Sequence, residues 1–379
     1  MNQKELNEIR RRFRQDINNI THIYGCYVNS NREVISWIDS SLGMMPQEES
    51  SMYLALLKKS LSGALGKNLI DIVFSTQQVM DSEEHRLLQK LRKTSLQDID
   101  ARQQLCQTII HSIDMGERNY LILLAADSYD VPHRGKDDSI QADASEDVFQ
   151  YFVCSICPVK PATTELRFYH EENEFHSCST GNTVSSPELG FLFPAFDNRS
   201  TNIYNALFYS KNAGEIHQEV IDSLFRIEPP MSAVEQKETF DSILSDVLEK
   251  ECSYDVVQSV HEQLSARIAE HKESKDPETL MLSVSDLEKV LLNSGVSSEK
   301  VEAFQQACTQ KYGEHAALNP SNIIESKKFE IQTAETKLSI SPENSYLIET
   351  RTINGRRYLM IPIDSTVTVN GLEVSVIGE

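Results

Sequence analysis

Tyr120-Leu-Ile-Leu-Leu-Ala-Ala126 is the densest apolar run in the chain, and its reading decides the fold. Seven residues fall well short of the ~18 that a membrane-spanning helix needs and suit one buried strand. Runs of the same kind are expected at 69–74, 149–156, 189–193 and 205–209, punctuated by Pro158, Pro161, Pro187 and Pro194. A chain of 379 residues with 40% hydrophobic and 25% charged residues can bury a large core around them, which excludes general disorder.

Helical segments are interleaved with these strands. Residues 3–15 place Leu6, Ile9 and Phe13 on one helical face and spread Arg10, Arg11, Arg12 and Arg14 around the rest. Residues 21–28 and 33–38 form a hairpin across Asn29-Ser30-Asn31. Pro46, Glu48 and Glu49 open a helix that runs to about residue 62, where Gly63 and Gly66 end it. Residues 79–113 read as one or two helices with a break near 94–98, and 214–225 as another. Between about 131 and 147, Asp, Ser, Gly and Lys mark a mobile surface loop. The whole reads as a mixed α/β domain over 1–227, closed by Glu228-Pro229-Pro230.

Beyond that point the apolar period becomes helical. Residues 228–318 form an acidic helical segment of four helices, beginning with a capping box at Ser232 and Glu235. Residues 228–303 carry 17 acidic and 7 basic side chains, about half of the net charge of −21. Residues 319–379 return to alternation, with Asn354-Gly355 and Asn370-Gly371 as hairpin turns, and form a small C-terminal antiparallel sheet. The fold class is therefore α+β.

The charge argues against a surface that is one large nucleic-acid or anionic-membrane footprint and leaves room for a local basic patch. No membrane partner is expected, and a charged first segment without an apolar signal core points to the cytoplasm. Seven scattered cysteines fit reduced thiols.

Several constellations bear on chemistry. Cys154-x2-Cys157-x12-His170-x5-His176 has the spacing of a two-cysteine, two-histidine zinc finger. However, the apolar residues between the pairs are missing, Pro158 and Pro161 crowd the turn, and an offset of three along a strand puts the cysteines on opposite faces. No metal or other cofactor is expected. Gly63-Ala-Leu-Gly66-Lys67 lacks the first glycine of a phosphate loop and joins helix to strand, so it reads as a helix terminus. Asp197 and Arg199, set among aromatics, are either a structural ion pair at a sheet edge or part of a cleft. The two short helices around Gly295 have the length of a helix-turn-helix, although Glu299 and Glu302 on the second favour a plain helical hairpin. The remaining basic material is Arg10, Arg11, Arg12 and Arg14 at one end and Arg351, Arg356 and Arg357 at the other.

The stretches EIRRRF, GKNLIDIVFSTQQVMDSEEH, CPVKP, PELGFLFPAFDNRSTNIYNALFY and EPPMSAVEQKETF resemble a bacterial family of unknown function, numbered 4317 and common in Firmicutes, over nearly the whole chain. From Tyr204 onward the order of elements and apolar spacing is similar to the nucleoid-associated family typified by NdpA, which implies association with the nucleoid. The expected function is thus a non-enzymatic nucleoid-associated-like or nucleoprotein-partner protein, acting as a homo-oligomer. Phosphate contacts would come from Arg10, Arg11, Arg12, Arg14, Arg356 and Arg357. The alternatives are an acidic interaction module for a basic protein, and a hydrolase or metal enzyme around Asp197, Arg199, His170 and His176.

Overall fold

The computed structural model describes residues 1–134, 140–141, 148–162, 165–178, 181–314, 316–363, 367–369 and 372–374. Most of the expected loop at 131–147 and the turn at Asn370-Gly371 lie outside the described residues. Compactness divides the chain into two units, Met1–Ala233 with Pro277–Thr279, and Val234–Asp276 with Leu280–Glu379.

The first unit is built on β1 (His22–Val28), β2 (Val34–Ser41), β3 (Leu69–Val73), β4 (Asn119–Asp130), β7 (Val148–Pro161), β10 (Asn182–Val184), β11 (Leu189–Phe193) and β14 (Asn205–Ser210). Among the described residues these eight form one antiparallel sheet in the order β2-β1-β4-β7-β11-β14-β3, with β10 extending the ladder on β7. Three hairpins lie outside it: β5 (His133–Arg134) with β6 (Ile140–Gln141), β8 (Glu165–Tyr169) with β9 (Glu174–Cys178), and β12 (Ala195–Asp197) with β13 (Ser200–Asn202).

The run at 120–126 is continuous because both faces of the sheet are covered. Ile122 and Leu124 face a core shared with Leu88 and Leu91 of α4 (Glu83–Lys93), Leu105 and Ile109 of α5 (Ile99–Ser112), and Val220 and Leu224 of α6 (Gln218–Phe225). Leu121, Leu123 and Ala125 face the opposite core with Leu6 and Ile9 of α1 (Gln3–Arg12) and Leu54 and Leu57 of α2 (Gln47–Lys59). The expected helical region after residue 79 holds three helices instead of one or two, because α3 (Thr76–Asp81) starts at the cap Ser75 and ends at Ser82, which caps α4 in turn. The break at 94–98 is present, with Asp98 accepting from the Ala101 amide at 2.9 Å.

Close approach of α2 to the sheet depends on small residues. The Ser60 and Ser155 hydroxyls meet at 2.6 Å in a buried contact. A Cβ on Gly190 would lie 2.4 Å from the Cys154 carbonyl oxygen and 2.8 Å from the Ser60 hydroxyl. Gly190→Ala is therefore expected to cost about 1–3 kcal/mol through overpacking, read as a lower urea midpoint. A midpoint equal to the parent's would show that the seam between α2 and β11 yields.

In the second unit, α7 (Ala233–Leu248), α8 (Tyr254–Ser274), α9 (Val284–Asn293), α10 (Ser298–Tyr312) and α11 (Pro320–Ile323) share one core. Four short antiparallel pairs accompany them: β15 (Leu282–Ser283) with β16 (Ala317–Leu318), β17 (Phe329–Gln332) with β18 (Lys337–Ile340), β19 (Glu349–Ile353) with β20 (Arg356–Met360), and β21 (Val367–Val369) with β22 (Leu372–Val374). Residues 234–276 and 280–379, which include most of the acidic helical segment and the C-terminal hairpins, fall within this one unit. The physical reason is that the helical stripe of Phe240, Leu244 and Leu264 closes only with Leu318, Ile323 and Ile324. Phe329 adds ring contacts to Tyr254 and His261 at 6.1 and 5.1 Å. No helix among the described residues is long and apolar enough to cross a membrane.

Candidate nucleic-acid interface

The two basic clusters have different fates. In α1, Asn2 accepts from the amides of Lys4 and Glu5 while Glu5 returns a bond to the Asn2 amide, a capping box that starts the helix. Burial of Leu6, Ile9 and Phe13 then turns the arginines away from the core, where two of them find internal acceptors. Arg10 donates to the carbonyls of Leu61 (2.6 Å) and Gly63 (3.0 Å), just past the end of α2, where chain carbonyls lack helical partners. Arg12 makes a two-pronged contact with Asp127, 2.9 and 3.1 Å, and lies 5.0 Å over the Tyr129 ring. Burial opposes the Arg12 charge, yet Asp127 holds its pKa above the ordinary value. Arg14 pairs with Asp16 at 2.8 Å on the surface. Only Arg11 of the four is exposed with no hydrogen bond or ion pair among the described residues.

Asp197 and Arg199 flank the β12–β13 turn, in which Asn198 and Arg199 adopt left-handed backbone at φ 49° and 57°. They do not pair with each other. Arg199 reaches Glu8 of α1 at 2.8 Å and the Pro132 carbonyl at 3.1 Å, and its amide donates to Glu5 at 3.1 Å. Asp197 accepts from Asn202 at 3.1 Å and lies 3.6 Å from the Met1 amine. The two residues therefore tie the N-terminal segment to the β12–β13 hairpin, and the ion pair expected between them is not formed. Tyr129 donates to Glu8 in the same network.

Burial first, and then Glu8, pushes the Tyr129 hydroxyl up to about 12, while burial and Cys26 do the same to Tyr120. A folded pKa above the unfolded value near 10 favours folding while the phenol is protonated. That contribution is full below about pH 10 and is lost as pH rises toward about 12. The urea midpoint is accordingly expected to hold to about pH 9 and fall by pH 11. A flat profile across that range would show that neither phenol is linked to folding.

The zinc arrangement is not assembled. Cys154 lies in the core that includes α5 and Cys157 in the core that includes α1, on opposite faces of β7, and burial pushes the Cys157 thiol up to about 12. His170 is exposed beside Phe168, and His176 pairs with Glu172 at 2.8 Å. The stretch that carries both histidines forms the β8–β9 hairpin, across which Phe168 and Phe175 meet at 5.1 Å. No group of three or more metal-ligating side chains is found among the described residues. In the α9–α10 pair, Val290, Leu291, Val301 and Phe304 are buried, and Lys300 is bound by Glu249 at 3.0 Å.

The C-terminal arginines stand differently. Asn354 and Gly355, at φ 51° and 79°, close β19 on β20, and every residue of both strands is exposed. The register pairs Glu349 with Met360, Arg351 with Tyr358 and Ile353 with Arg356, so these six share one face. Thr350, Thr352, Arg357 and Leu359 occupy the other. Arg351 is held by Glu349 at 2.8 Å, whereas Arg356 and Arg357 engage nothing among the described residues. A family model described as Domain of unknown function (DUF4317) matches residues 1–372. The chain belongs to that family. The DUF4317 match thus takes in both units and the whole of this ribbon. No curated protein matches the chain. Sequence reasoning missed Tyr358, Leu359 and Met360 as part of the surface. The signal was present in their place directly after Arg356 and Arg357 behind an Asn-Gly turn, but exposure of both faces was not.

Proposed function

We propose that this is a non-enzymatic, nucleoid-associated-like protein that engages nucleic acid, or the nucleoprotein built on it, through the β19–β20 ribbon. The observation that carries this is a ribbon with unspent cations on an acidic chain. Residues 349–363 hold three arginines against one glutamate, while the chain as a whole carries −21. The similarity in element order to the NdpA-typified family supports the same reading. Under it the protein works in the cytoplasm without cofactor or membrane partner, and a homo-oligomer would present the ribbon more than once and gain avidity.

The test is fluorescence anisotropy of labelled mixed-sequence nucleic acid with the full chain across a salt series. Two phosphate contacts, from Arg356 and Arg357, predict a loss of about 12-fold in affinity between 50 and 200 mM salt. The double variant R356A/R357A should lower the slope of log affinity against log salt by about two. Loss of binding in Arg11→Ala with the ribbon variant unaffected would move the interface to α1 and overturn the assignment.

A further inference from the structure

We infer that the β19–β20 ribbon enters the major groove of duplex DNA, an inference that rests on the nucleic-acid reading above and narrows it to one substrate class. The first support is the placement of charge. Arg356 and Arg357 are neighbours in one strand and so point to opposite faces, and both faces are exposed. A platform for single strands works differently, since its rings and cations share one face while the other packs on a core. Cations on both faces suit a slot with phosphates on two sides, which is what a groove offers.

Thickness selects the groove. Stacked sheets lie about 10 Å apart, which is also the depth of one ribbon with side chains on both faces. That fits the major groove of B-form DNA, about 12 Å wide, and exceeds the minor groove at about 6 Å. A-form RNA offers a deep, narrow major groove that side chains do not reach and a shallow minor groove that gives a two-faced ribbon no second wall. The contents of the ribbon are also suitable. Arg356 and Arg357 sit next to the Asn354-Gly355 turn, at the leading end, and can reach phosphate oxygens or the guanine edge. Leu359, Thr350 and Thr352 on one face and Tyr358 and Met360 on the other supply apolar and hydroxyl contacts for thymine methyls and base edges. The five-residue strands reach about 17 Å, and no other side chain within them competes with phosphate except Glu349, at the far end and already bound to Arg351.

The experiment compares four labelled probes with the full chain at low salt: a DNA duplex, its single strand, an RNA duplex of the same sequence, and anionic phosphatidylserine vesicles. The duplex DNA should bind at least about tenfold more tightly than the other three, and R356A and R357A should each weaken it by about tenfold while leaving the circular dichroism spectrum unchanged. Dimethyl sulfate footprinting of the complex should protect guanine N7, in the major groove, and leave adenine N3, in the minor groove, reactive. Single-strand or RNA binding as tight as duplex DNA, or protection of adenine N3, would overturn groove entry while leaving the nucleic-acid reading in place. Binding to vesicles alone, or to none of the probes, would sink both.

Discussion

Gly25→Ala should leave a protein that unfolds at markedly lower urea concentration, by about 3–5 kcal/mol, or that fails to accumulate in soluble form. A Cβ at Gly25 would lie 1.9 Å from the Ile122 carbonyl oxygen, 2.9 Å from its carbon and 3.2 Å from the Leu123 Cα. All three are backbone atoms of β4, which is held on one side by β1 and on the other by β7. Gly25 also adopts φ 153°, a conformation that side chains rarely accept. The clash cannot be relieved by rotating a side chain, and shifting β4 would disturb both cores. Overpacking and backbone strain, each worth about 1–3 kcal/mol, therefore act together. A urea midpoint within error of the parent protein would show that the strands separate at this point without cost.

Asp127→Asn should cost about 3–5 kcal/mol although it hardly changes volume. Asp127 is buried and accepts four hydrogen bonds: two from Arg12, one from the Asn19 amide at 2.8 Å and one from the Tyr151 hydroxyl at 2.8 Å. An amide can accept with one atom only, and its nitrogen would face the donors on Arg12 or Tyr151. The Arg12 charge would then remain largely buried without its counter-ion. Tyr151→Phe removes one neutral donor and should cost about 1–2 kcal/mol. The double variant Arg12→Met with Asp127→Leu should recover only part of the loss, since it removes the desolvated charge but leaves the Asn19 amide and Tyr151 hydroxyl without their acceptor. A loss below about 1 kcal/mol in Asp127→Asn would mean that water reaches the site and that α1 is held by its apolar face alone. Limited proteolysis provides a separate reading, because a weakened anchor should expose the Arg10–Arg12 bonds to trypsin.

The Arg12–Asp127 contact marks where sequence reading of the site stops. The basic helix, read over 3–15 and formed over Gln3–Arg12, was legible from the spacing of Leu6, Ile9 and Phe13. What its arginines do was not. Arg12 meets Asp127 across 115 residues of sequence and Arg10 meets Leu61 across 51, and local pattern carries no record of such partners. The same holds for Asp197 and Arg199, which suggested a pair but engage the Met1 amine and Glu8 separately. The Cys154 and Cys157 faces, in contrast, followed from the period of a strand and needed no partner to be known.

The sequence by itself determined the α+β class, the buried run at 120–126 and the Asn354-Gly355 turn, because periodicity and turn residues act over a few neighbours. Tertiary structure decided that the sheet is antiparallel with both faces covered, that the acidic helices share a unit with the C-terminal hairpins, and that Arg10 and Arg12 are spent internally while Arg356 and Arg357 make no hydrogen bond or ion pair among the described residues. An arginine's availability depends on whether an acceptor is brought to it, and that meeting is made only when distant segments pack.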